Sequence, residues 1–144
     1  MKIASKDEVS YAKISQLQGS NTIPPIYISL EGYEFDSGIN AIVYDIEIGV
    51  EKNQKICSKH IKRRYSALNM ADIEIRKKFG GSSYLLKFPQ KKILNQKNQD
   101  FLENRAKQLR NYLASLVKIP GLLSFDKFIS FFELSDLLTT YDDI

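Results

Sequence analysis

Residues 41 to 51, AIVYDIEIGVE, alternate without a break. Ile42, Tyr44, Ile46, Ile48 and Val50 fall on one side, and Asp45 and Glu47 on the other. A period of two is the signature of a strand with one buried and one wet face; a helix would scatter these five apolar residues around its axis. Such a strand needs partners, because an isolated ribbon is at best marginally stable in water. The neighbouring segments supply them. In IYISLEGYEF, Ile26, Ile28 and Leu30 alternate with Tyr27, Ser29 and Glu31, and FDSGIN follows as a turn. After the polar turn EKNQK, the segment KICSKHIKRRY reads as a third, less regular strand. Three strands joined by short turns form an antiparallel meander.

From Ser66 the period changes. Leu68, Ile75 and Phe79 stand at helical spacing, and FGG supplies a glycine stop. SSYLLKFPQKKILNQKNQ keeps no period, contains Pro89 and reads as a long loop. The strongest amphipathic helix runs from about Asp100 to Lys118, with Leu102, Ala106, Leu109, Leu113 and Leu116 on its apolar stripe. A final short helix, SFDKFISFFEL, is expected to start at Ser124 as N-cap and to close the core with its phenylalanines. The fold class is therefore α+β: a three-stranded antiparallel sheet against a helical subdomain of three to four helices. Residues 1–22 are expected to form a flexible N-terminal arm, 23–135 the folded domain, and 136–144 an acidic C-terminal tail.

Charge is unevenly placed. The chain has 21 Lys and Arg against 17 Asp and Glu, a net +4. Between Lys55 and Arg110 stand fifteen cations and four acids, while the remainder carries six cations and thirteen acids. An asymmetry of this size speaks of an anionic partner for the middle of the chain. Several classes fall away. One cysteine, Cys57, allows neither an internal disulfide nor a cysteine-based zinc site, and it suits a reducing compartment such as the cytosol. The first fifteen residues carry charges where a signal peptide's apolar run would stand. His60 is the only histidine and has no evident nucleophile or metal partner. No Gly-rich phosphate loop, HExxH, GxSxG or clustered acid pair occurs, so no catalysis, cofactor or metal is expected.

The densest charge lies in KRRYSAL, at the junction of the third strand and the first long helix. It reads either as a solvated edge strand that discourages aggregation or as an anion site. In the second reading an arginine fork grips phosphate oxygens, Ser66 donates its hydroxyl at a helix N-terminus, and Tyr65 offers a flat face to a ring. Strand alternation sends Arg63 and Tyr65 one way and Arg64 the other, so only one arginine need face a pocket. FPQKKILNQ places Ile93 and Leu94 directly after Lys91 and Lys92. It is either an exposed basic loop or a pairing of cations and aliphatics suited to a bilayer interface.

The order of these parts resembles the phox-homology (PX) domain, a phosphoinositide-binding module common in sorting nexins. The resemblance covers about residues 24 to 134 and rests on three strands, RRYS, a helix, a proline-bearing loop with FPQKK, and the helix pattern FLxxRxxxLxxYLxxLxxxP. It implies that Arg64 grips the phosphate at inositol position 3, that Tyr65 stacks beneath the ring and that Ser66 adds to the same phosphate. It further implies that Lys91, with Lys92 as the alternate, meets the 1-phosphate and that Arg105 binds the 4- and 5-hydroxyls; Arg63 is a possible further ligand contact, expected to be mainly structural or peripheral. Ile93 and Leu94 become the membrane-inserting tip. Two positions depart from the family pattern: Leu68 replaces an aromatic, and a single Pro89 replaces the usual PPxxP loop. The implied ligand is phosphatidylinositol 3-phosphate and the implied protein partners belong to membrane trafficking and protein transport. The implied location is cytoplasmic, peripheral on endosomal or vacuolar membranes. A PX-like protein-interaction module with little lipid binding is the alternative. Nucleic acid is disfavoured, because the sequence lacks an RNA-binding motif and a series of exposed stacking aromatics.

Overall fold

The computed structural model describes residues 1–19, 24–91 and 98–139. Its elements in chain order are β1 (Lys2–Ser5), α1 (Tyr11–Ile14), β2 (Ile26–Asp36), β3 (Ala41–Lys52), β4 (Lys55–Arg64), α2 (Tyr65–Phe79), α3 (Gln99–Leu116), α4 (Asp126–Phe131) and α5 (Ser135–Thr139), with 3-10 turns at Lys6–Glu8 and Leu122–Ser124.

The sheet is antiparallel, in the order β1-β4-β3-β2. The alternation of β3 sets its register. Ile46 stands opposite Leu30 on one side and Ile61 on the other, and Val50 stands between Ile26 and Cys57. These side chains form one buried layer, against which Leu68 and Ile75 of α2 and Leu109, Leu113 and Leu116 of α3 pack. Each buried Ile or Leu contributes about 1.5–3 kcal/mol relative to exposure, so this layer supplies most of the driving force. The β3–β4 turn is a two-residue loop, with Asn53 at φ 49° and Gln54 at φ 66°. Paired left-handed residues match the twist of a tight hairpin.

Among the described residues the sheet has four strands where three were expected. The extra strand, β1, pairs Ile3 with Cys57 and Ala4 with Ile56. Four residues held by backbone hydrogen bonds carry too short a pattern to announce themselves. The N-terminal segment read as a flexible arm is correspondingly tied down. Lys6 Nζ meets Glu51 at 3.0 Å, and Lys13 Nζ meets Glu31 at 2.5 Å and Glu47 at 3.1 Å. Gln18 exchanges backbone hydrogen bonds with Ile26. Tyr27, which alternation assigned to the wet face, is fully buried on that side. Its hydroxyl donates to Glu47, and its ring lies across Gly49, where a Cβ would stand 2.3 Å from ring carbons.

The start of the expected acidic tail is also built in. Leu137 of α5 is completely buried and Asp136 pairs with Lys59 at 2.7 Å. The short helix expected to start at Ser124 is α4 and begins at Asp126, with Phe125 in the N-cap position and no side-chain cap, so Ser124 belongs to the preceding 3-10 turn. Phe128 and Phe132 close the core as expected. Among the described residues, no helix is long and apolar enough to cross a membrane.

Candidate functional site

β4 passes into α2 without an intervening residue. Arg64 ends the strand and stands at the N-cap of the helix, in extended backbone (φ −84°, ψ 161°). No described side chain caps α2, and the N–H groups of its first turn lend the helix end positive potential. Arg64 is exposed, and no described side chain pairs with it.

Arg63 is used differently. Its Nη2 donates to Phe131 O at 2.8 Å and to Glu133 Oε2 at 2.6 Å, and its guanidinium lies 5.2 Å from the Phe131 ring centroid. The Arg63 hydrogen bond holds the Glu133 carboxyl below the usual carboxylate range. One arginine of the pair clasps the C-terminal helices to β4; the other is free to meet a ligand.

Tyr65 organises the floor. Its hydroxyl donates to Pro89 O at 2.6 Å and its ring meets Phe88 at 5.4 Å between centroids. Phe88 is buried and packs edge-on against Tyr112 at 5.1 Å. The loop is thereby pinned at Phe88 and Pro89, which fixes where Lys91 emerges two residues later. Burial pushes the Tyr65 hydroxyl pKa up, the Arg105 charge opposes that shift, and Asp72 adds to it. Behind the floor, Asp72 accepts from Tyr112 Oη at 2.7 Å and from Arg76 Nη2 at 2.9 Å. Arg76 also donates to Leu86 O at 2.8 Å, a second tether on the loop. Burial, then the Asp72 hydrogen bond, drives the Tyr112 hydroxyl far above its ordinary pKa, so it stays a donor.

Arg105 is the most telling residue. It projects from α3 with 7% exposure, its guanidinium 4.0 Å from the Tyr65 ring centroid and 4.5 Å from that of Phe101. Its Nε and Nη2 are buried and make no well-formed hydrogen bond with another described residue. The buried Tyr44 hydroxyl lies beside this guanidinium without a well-formed hydrogen bond among the described residues; burial pushes its pKa up, and the charge and close polar approach of Arg105 oppose the shift. Buried polar groups are nearly always satisfied, and each orphan donor costs about 1–3 kcal/mol. A stacked cation with two idle donors is preorganised for an oxygen-rich ligand.

Arg64, Tyr65, Ser66, Lys91 and Arg105 line a single cleft of about 490 Å³. The five residues that the resemblance assigns to the headgroup are thus brought together. Arg63 is not among them. Lys92, Ile93 and Leu94 lie outside the described residues. Sequence reasoning missed Phe101 and Tyr44 around Arg105, and Phe35 and Asn40, which line the opposite rim. Phe101 had a signal, since it stands four residues before Arg105 on one helix. Tyr44 had none, being an ordinary core position of β3.

A PX-domain family model matches residues 51–135, well over half of the chain. The chain belongs to the PX-domain family, whose members are phosphoinositide-binding, membrane-targeting modules and generally non-catalytic. Among solved structures, a designed CISK-PX domain is similar at TM-score 0.60 and 20% identity, covering 72% of this chain and 95% of that one. The mouse SNX19 PX domain with bound sulphate ion is similar at TM-score 0.58 and 19% identity, covering 76% and 97%. A further structure of the mouse SNX19 PX domain aligns at TM-score 0.52 and 22% identity, with the same coverage. These likenesses concern the fold. No curated protein matches the chain.

Proposed function

We propose that the cleft reads phosphatidylinositol 3-phosphate and thereby holds the chain, as a peripheral protein, on endosomal or vacuolar membranes facing the cytoplasm. The observation that carries this reading is the pairing of two unlike arginines in one cleft. Arg64, exposed and unpaired beside the uncapped start of α2, suits a dianionic phosphate, with Ser66 adding a hydroxyl donor. Arg105, buried between two rings with Nε and Nη2 idle, suits neutral hydroxyls held at fixed distance. Tyr65 forms the floor beneath the ring and Lys91 the exit toward the glycerol phosphate. A ligand with further phosphates at positions 4 or 5 would have to pack them against a donor enclosed by Tyr65 and Phe101.

Flotation with vesicles containing each phosphoinositide isomer tests the reading. The 3-phosphate lipid should be retained best, and both bisphosphates that share its 3-phosphate should be weaker. Binding that rises simply with headgroup charge would mean that a basic surface, and not a shaped cleft, attracts the membrane. The protein partners in trafficking that this placement implies would then be met on the membrane surface.

A further inference from the structure

A second concavity lies on the far side of Phe101, and its chemistry is different. It measures about 500 Å³ and its polar lining is Lys87, Gln90, Lys91, Asn104, Gln108 and Asn111. Two ammonium groups and four carboxamides face it, with no carboxylate. All six residues are exposed, and none of these side chains makes a hydrogen bond or ion pair with another described residue. Leu86, Phe88 and Phe101 form the apolar part of the lining.

The geometry points to a docking groove for an extended acidic peptide. Asn104, Gln108 and Asn111 lie on one face of α3, at the i, i+4, i+7 spacing that aligns side chains along a helix. At 1.5 Å per residue, Asn104 and Gln108 are about 6 Å apart along the axis, and the three amides span about 10 Å. An extended chain repeats its same-side groups about every 6.7 Å and covers about 10 Å in three residues. Each carboxamide presents one acceptor and two donors, which matches the N–H and C=O of a peptide unit. A phosphate headgroup would use only the N–H groups of these amides and leave their four oxygens without a donor from the ligand, whereas a peptide backbone meets both. Lys87 and Lys91 on the loop side supply the charge preference for Asp and Glu, and the Phe88–Phe101 surface takes one apolar side chain. Lys91 lines this groove and the lipid cleft alike, so peptide and headgroup lower each other's affinity by the same factor.

The test is a titration of the ¹⁵N-labelled full chain with a capped octapeptide alternating Glu with Leu. It is run beside a Lys-for-Glu version, a version N-methylated at alternate backbone amides, inorganic phosphate and phosphatidylserine vesicles. The side-chain NH₂ resonances of Asn104, Gln108 and Asn111 should move with the acidic peptide alone. The double change Asn104→Ala with Gln108→Ala should weaken that binding at least tenfold. Its retention on phosphatidylinositol 3-phosphate vesicles should stay at wild-type level, which separates this inference from the lipid reading. Gln108→Glu, an exposed change that leaves the helix intact, should also weaken peptide binding, by repulsion. The proposal is overturned if 1 mM acidic peptide moves none of the three resonances, or if the N-methylated peptide binds as well. It is equally overturned if phosphate or phosphatidylserine moves them and the peptide does not.

Discussion

Replacing Arg105 with methionine separates what the site costs from what it does. The change keeps an unbranched stem between Tyr65 and Phe101 but removes the guanidinium, whose Nε and Nη2 are buried without partners. Losing two orphan donors relieves about 1–3 kcal/mol each. Losing two cation–ring contacts forfeits about 0.5–2 kcal/mol each. The terms have opposite sign and similar size, so stability should stay within about 2 kcal/mol of wild type, a Tm shift of about 6 °C or less at this chain length. Lipid binding has no such compensation. Removing a desolvated donor from its ligand costs about 2–5 kcal/mol, a loss of about thirtyfold to several thousandfold. Differential scanning calorimetry and vesicle flotation on the same sample give both numbers. A Tm drop beyond about 10 °C would show instead that Arg105 is a satisfied structural residue.

Three other outcomes follow from the same contacts. Arg63→Ala should destabilise the fold by about 1–3 kcal/mol, through loss of the Phe131 and Glu133 hydrogen bonds, while leaving vesicle binding near wild type. Arg64→Ala should do the reverse, with an unchanged Tm and binding reduced by about 2–5 kcal/mol. Glu47 gives a pH signature. Burial pushes its carboxyl up, but hydrogen bonds from Tyr27 and Lys13 outweigh this and hold its pKa below the ordinary 4.5. A depressed folded-state pKa means that its contribution is complete above about pH 4.5 and is lost as pH falls through the lower folded value. Urea unfolding of wild type and Glu47→Gln should therefore differ at pH 6 and converge toward pH 3; a constant difference would show that the carboxylate's charge is not what matters.

Legibility in the sequence tracked how local each interaction is. The alternation of Ile42 to Val50 and the stripe from Leu102 to Leu116 are decided by neighbours within a few residues, and both elements stand where the pattern puts them. β1 escaped notice because its pairing with β4 uses backbone groups across more than fifty residues of chain. Tyr27 broke the expected alternation because the first residues fold back over the outer face of the sheet and Gly49 leaves room for its ring. The motif RRYS did mark the cleft. What it left open was the division of labour between its arginines, because the partners of Arg63 come from Phe131 and Glu133, about seventy residues later.

If Arg64 and Arg105 hold one headgroup together, arginine side-chain NMR reads that shared grip at each guanidinium. Soluble short-chain phosphatidylinositol 3-phosphate, which offers no bilayer, is titrated into chain labelled at arginine Nε. The Arg105 Nε–H resonance should shift and become protected from exchange in step with that of Arg64, while Arg63 stays still. Binding that moves Arg64 but leaves Arg105 unchanged would contradict the shared grip.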